Sequence, residues 1–164
     1  AARSLTAQQY RAIVCGQTTK EDDMSDYNKT LIDDLRAHGG HASTGIWVGR
    51  DVLILTTIGA KSGKPRETPL AYTRDGDRII VIASKGGAPT DPAWYHNLVA
   101  NPRVTVEVNG ERFDAIATVA EGPERRRLYD QQAAVHPTFR DYEARTDRVI
   151  PVVILQRQAA SAAA

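Results

Sequence analysis

Between Gly59 and Leu70 the chain reads Gly-Ala-Lys-Ser-Gly-Lys-Pro-Arg-Glu-Thr-Pro-Leu, which sets Lys61, Ser62, Lys64 and Arg66 among two glycines and two prolines. Three cations and a hydroxyl on so short a connection suit the capture of an anion, a phosphate or a carboxylate, through charge-assisted hydrogen bonds. Gly59 and Gly63 let the backbone turn with positive φ and approach a ligand closely. The phosphate loop of nucleotide triphosphatases is excluded. It needs about four residues between its first Gly and the Gly-Lys pair, then Ser or Thr, whereas here there are three, followed by Pro65. The plain alternative is a solvated basic turn, the usual fate of a charge cluster.

The elements on either side must position this loop. Val52–Ile58 is continuous and β-branched enough for a buried strand, and an extended pattern resumes from Thr68 to Tyr72, so the loop is a hairpin-like connection at a sheet edge. From Asp51 onward the chain is predicted to form a meander with strands near 52–58, 67–73, 78–84, 103–108, 112–120 and 149–156. Asp75-Gly76 and Asn109-Gly110 are hairpin signals, and Val104, Val106 and Val108 alternate with polar residues as in a half-buried strand. Asp91 and Pro92 suit the N-cap and first turn of a short helix reaching Leu98, ended by Asn101-Pro102. Gly122-Pro123-Glu124 opens a second helix to about Val135, and Thr138 a third to about Arg145. Ahead of the strands, 26–36 carries Tyr27, Leu31, Ile32 and Leu35 at helical spacing, with Ser25 as N-cap and Gly39-Gly40 as the stop. Acids and bases share its polar face, so it is expected to pack on the sheet and not on a membrane. The fold class is mainly β with inserted helices, a six-stranded barrel or strongly curled sheet.

Composition narrows the function classes. A chain of 164 residues with 41% hydrophobic content supports one domain, assigned to 24–157, with 1–23 expected as a leader or disordered extension and 158–164 as a disordered tail. A net charge of +1 and 6% aromatics give neither the field nor the stacking surface of a nucleic-acid binder. The single Cys15 excludes an intramolecular disulfide, and the four histidines form no metal-ligand spacing, so no metal is expected. Without a long apolar run or a secretory-type stretch in the first 23 residues, the expectation is a cytoplasmic protein, peripheral at most to the inner face of the membrane.

Five blocks occur in a distinctive order: 59–70, Ile-Ala-Ser-Lys-Gly-Gly at 82–87, Asp-Pro-Ala-Trp-Tyr-His-Asn-Leu at 91–98, Asn-Pro at 101–102, and Thr-Asp-Arg-x-Ile-Pro-Val at 146–152. Over roughly 45–156 this resembles the deazaflavin-dependent nitroreductases of actinobacteria, the family of reductases that use reduced coenzyme F420. The resemblance implies a split β-barrel of the FMN-binding type. It implies an anionic ligand too, since coenzyme F420 carries a lactyl phosphate and an oligoglutamate tail. Lys61, Ser62, Lys64 and Arg66 match the family's phosphate and tail contacts, and Glu67, Thr68, Pro69 and Leu70 continue that wall. Ile82, Ala83, Ser84 and Lys85 match the block beside the ring, and Ala93, Trp94, Tyr95, His96 and Asn97 a second cofactor-contacting segment. At Ala60, where some relatives have a further cation, this chain departs from the pattern.

The acceptor side is assigned, on the same resemblance, to Ala71, His136, Phe139 and Tyr142. The last three recur at intervals of three on one short helix, where relatives have three tyrosines. The implied reaction is hydride transfer to quinones, enones or lactones, or nitroaromatics, with Ser84 and Tyr142 as catalytic residues. The expected partners are a small-molecule acceptor and no nucleic acid, in a monomer or weak homodimer. Core packing is the bland reading of Trp94, Tyr95 and the 136–142 trio, and backbone capping that of Asn97. The rival functions are an FMN-dependent oxidase or haem-binding barrel, and a non-catalytic carrier of coenzyme F420.

Overall fold

The computed structural model describes residues 21–158, so most of the expected leader, with Cys15, and nearly all of the expected tail lie outside the described residues. Seven strands form one sheet: β1 (Val52–Ile58), β2 (Pro65–Ala71), β3 (Thr73–Asp75), β4 (Arg78–Ile82), β5 (Arg103–Val108), β6 (Glu111–Val119) and β7 (Val152–Arg157). Their order is β2-β1-β5-β6-β7-β4-β3, with every neighbouring pair antiparallel. The count of six is corrected here. The stretch 67–73 is not one strand, because β2 pairs with β1 and β3 pairs with β4, at opposite edges of the sheet. A single residue, Tyr72, joins those two edges, so the sheet must curl until they meet. The result is a split β-barrel of the flavin-binding type.

The alternation along β4 and β7 separates two packing layers. Ile79, Val81, Val153 and Leu155 face the barrel interior, while Ile80, Ile82, Val152 and Ile154 face outward beneath α3 (Gly122–Val135) and α4 (Thr138–Ala144). Strand β1 is buried on both faces. Leu53 and Leu55 point inward, and Val52 and Ile54 meet Leu31, Ile32 and Leu35 of α1 (Glu21–Ala37) together with Trp47. The short α2 (Ala93–Ala100) plugs the barrel with Trp94 and Leu98.

Three boundaries differ from expectation for identifiable reasons. Helix α1 runs Glu21–Ala37, so Ser25 lies inside it and is not its N-cap; it stops where Gly39 and Gly40 turn left-handed and the Gly40 N–H reaches the Leu35 carbonyl at 2.8 Å. The N-cap of α2 is Pro92, because the Asp91 carboxylate is engaged by Arg148. Strand β4 ends at Ile82, two residues early, since the chain then enters a left-handed turn at Lys85–Gly87.

Candidate functional site

The basic loop is built from the backbone outward. The Gly59 N–H donates to the Lys64 carbonyl at 2.8 Å and the Gly63 N–H to the Gly59 carbonyl at 2.9 Å, with Gly63 at φ +67°. Gly59, unlike Gly63, does not adopt positive φ; a Cβ there would lie 2.4 Å from Ser62 Oγ and 3.3 Å from the Lys64 carbonyl oxygen, so a larger residue would have to displace the Ser62 side chain from the turn. Ser62 Oγ accepts the Lys64 N–H at 3.2 Å, and its own proton stays available to an outside acceptor. Asn97 ties the loop to the barrel plug. Its Oδ1 accepts the Ala60 N–H at 2.9 Å, and its Nδ2 donates to Oγ1 of the fully buried Thr57 at 3.2 Å.

A cleft of about 1000 Å³ opens between this loop, the start of β2, α2 and α1. Lys61, Ser62, Arg66, Glu67, Thr68, Ala93, Trp94, His96 and Asn97 line it, so the 59–70 block and the α2 block share one cavity. Helix α1 adds Asn28, Lys29, Ile32, Asp33 and Arg36. Of the four cations that line the cleft, Lys29, Lys61 and Arg66 have no carboxylate partner among the described residues, whereas Arg36 is paired. Glu67 would oppose an anion, but Arg36 pairs with it while also holding Glu107 at 2.7 Å. Asp33 is the remaining carboxylate on the wall. Lys64 is exposed at the loop's exit and does not line the cleft. Pro69 lies half-buried outside it, Leu70 and Tyr95 pack on the barrel core, and Ala71 packs beneath α1.

The block after β4 lies elsewhere. Ile82, Ala83 and Ser84 are buried, and Lys85, Gly86 and Gly87 take φ of +43°, +65° and +79°. Gly87 sits so close to α4 that a Cβ there would be 2.5 Å from the Tyr142 carbonyl oxygen. Phe139 and Tyr142 are 4% and 3% exposed and belong to the cluster under α3 and α4, with ring centroids 5.3 Å apart in an edge-to-face contact. The Tyr129 hydroxyl donates to the Phe139 carbonyl at 2.5 Å, and burial pushes that phenol up to about 12. His136 is half-buried at the α3–α4 junction, where burial first and the Arg50 charge second hold its imidazole below the ordinary histidine value, against Asp51. None of the trio lines this cleft. The structure thus gives Phe139 and Tyr142 packing roles that sequence spacing left open.

Two contributors were missed. Lys29 lies on a helix read only for its apolar stripe. Arg148 was quoted within a block but given no role; its signal was its place beside Asp147 in a polar turn leading to a buried strand.

A family profile described as F420H(2)-dependent quinone reductase matches residues 29–157, well over half of the chain. An F420H(2)-dependent quinone reductase of Mycobacterium tuberculosis is 44% identical over 109 residues, 65% of this chain and 73% of that protein. A solved F420-H2 dependent reductase (FDR-A) aligns with a TM-score of 0.60 and 39% identity, over 64% of this chain and 93% of its own. A structure described as a domain-swapped dimer aligns with a TM-score of 0.63 and 33% identity, over 84% and 100%. The chain belongs to the F420H2-dependent quinone reductase family, an oxidoreductase family whose cofactor is coenzyme F420.

Proposed function

We propose that this chain reduces electron-poor unsaturated acceptors, quinones first and enones or lactones second, with reduced coenzyme F420 as donor. The observation that carries the reading is the cleft wall on which Lys29, Lys61 and Arg66 stand without acidic partners beside the Ser62 hydroxyl. Those groups fit a phosphate followed by a chain of carboxylates, and Trp94 offers an aromatic wall further along. The cavity is also at the upper end of the size usual for small-molecule sites.

Bound in reduced form, the deazaflavin supplies the hydride. The remaining tasks belong to the chain. Lys61, Ser62 and Arg66 hold the anionic end from the loop side, and Lys29 from α1. Asn97 keeps the loop closed, and Arg36 neutralises Glu67 so that the field at the cleft stays positive. Ser84 holds the ring edge or an acceptor oxygen, while Tyr142, buried in the layer under α3 and α4, backs the 85–87 turn and does not touch the acceptor. The proton that accompanies the hydride comes from solvent through the open cleft, since the buried Tyr129 does not line it and its hydroxyl is committed to the Phe139 carbonyl. With the half-buried His136 where relatives have a tyrosine, bulky nitroaromatics are poorer acceptors than quinones.

Steady-state oxidation of reduced coenzyme F420 with menadione tests this. Turnover is expected, with faster reduction of menadione than of a nitroimidazole. Tight binding without turnover on a quinone, an enone or a nitroimidazole would make the chain a carrier instead.

A further inference from the structure

Between β4 and α2 lies a guanidinium for which the reductase reading has no use. Arg148 has a side chain only 14% exposed. Its Nε donates to the Ala88 carbonyl at 3.1 Å, its Nη1 to the Ala83 carbonyl at 3.3 Å and to the Asp91 carboxylate, and its Nη2 to the Ser84 carbonyl at 2.9 Å. One planar group thus grips both ends of the 83–88 turn and the residue that leads into α2. Inside that grip Lys85, a residue with a Cβ, sits at positive φ ahead of two glycines that do the same. Such a conformation persists only where its surroundings over-determine it. The opposite side is fixed as well, by Gly87 against the Tyr142 carbonyl.

We propose that Arg148 is a positioning residue for hydride transfer. It locks the Ser84–Lys85 turn to α2 through Asp91, so that the two segments facing the ring and the cleft keep one spacing. This rests on the reading that the Ile82–Lys85 segment stands beside the ring. Arg148 touches neither donor nor acceptor; it acts through the backbone it holds. A lysine at 148 would keep a charge for Asp91 but lack the planar fork that reaches three carbonyls.

The test uses Arg148→Lys, Asp91→Asn and Arg148→Ala in the full chain. For Arg148→Lys the single-turnover rate of hydride transfer to menadione is expected to fall about 10- to 100-fold, as a misplaced reacting group costs. Affinity for coenzyme F420, read by fluorescence anisotropy, is expected to change less than about 3-fold, because the charged cleft is untouched. Amide exchange in the unliganded protein is expected to rise in 83–91 and not in β7. Guanidinium ion added to Arg148→Ala is expected to restore part of the rate; should that variant not fold, Arg148→Lys and Asp91→Asn carry the test. A parental rate in folded Arg148→Lys, together with a loss in Ser84→Ala, would overturn the positioning role alone. Unchanged binding and rate in both Ser84→Ala and Lys85→Ala would overturn the placement of the turn beside the ring, and the proposal with it.

Discussion

At Asn97 a buried amide side chain, 8% exposed on the inner face of α2, holds a surface loop to the barrel with one acceptor and one donor. Removing it leaves the fully buried Thr57 hydroxyl without that donor and the Ala60 N–H without its acceptor. Asn97→Ala should therefore cost about 1–3 kcal/mol of stability and weaken coenzyme F420 binding as well; urea unfolding and a binding titration read the two effects, and a variant that lost neither would make the tether idle. The cations behave differently, because Lys29, Lys61 and Arg66 are exposed. Each exposed charge contact is worth about 0.2–1 kcal/mol, so single alanine variants should shift Kd only a few-fold. The triple variant should lose on the order of 1–3 kcal/mol, about 5- to 150-fold in Kd, and lose its salt dependence with it. The basic loop was legible because its charges and glycines are adjacent in the chain. Lys29 was not, since only the packing of α1 brings it to the same cleft, and Arg148 was not, since its partners lie 57 to 65 residues away.

At the scale of elements, α4 is set by its burial. Phe139 and Tyr142 fill the layer over β4 and β7, and Tyr129 fastens α4 to α3. Phe139→Ala should cost about 3–5 kcal/mol, and Phe139→Tyr about 1–3 kcal/mol, since the added hydroxyl must enter a filled apolar layer; chemical denaturation measures both. Parental stability in Phe139→Ala would mean that α4 stands free of the core. The junction should also be sensitive to pH. Because the folded state holds the His136 imidazole below its ordinary value, the unfolded chain binds the proton more readily. Stability contributed here is fully present above the ordinary histidine pKa of about 6.5 and is lost progressively as pH falls below it and through the lower folded value. The parent should lose more stability than His136→Gln between neutral and mildly acidic pH, and identical losses would contradict this. Hairpins were the legible elements: Asn109-Gly110, at φ +52° and +78°, turns between Val108 and Glu111 by its own backbone preferences. The break at Tyr72 was not legible, because local extended propensity continues through it and only barrel closure interrupts the pairing.

For the whole molecule, closure of the sheet explains why the site lies where it does. Curling brings the chain from β2 at one edge to β3 at the other, α2 plugs the end beside the basic loop, and α1 covers the outer face of β1 and supplies the far wall of the cleft. Among the described residues no helix is long and apolar enough to cross a membrane. The overall class was legible from the spacing of strands and turns, whereas the cleft arises from contacts among three segments far apart in the chain. The central claim is that this cleft reads a polyanionic cofactor by charge. The most direct measurement is a fluorescence titration of the protein with coenzyme F420 of short and long glutamate tails, beside FMN, at low and high salt. The expected result is tighter binding with each lengthening of the tail, weakened by salt, and weaker binding of FMN throughout. Affinity independent of tail length and salt, or tighter binding of FMN, would contradict it.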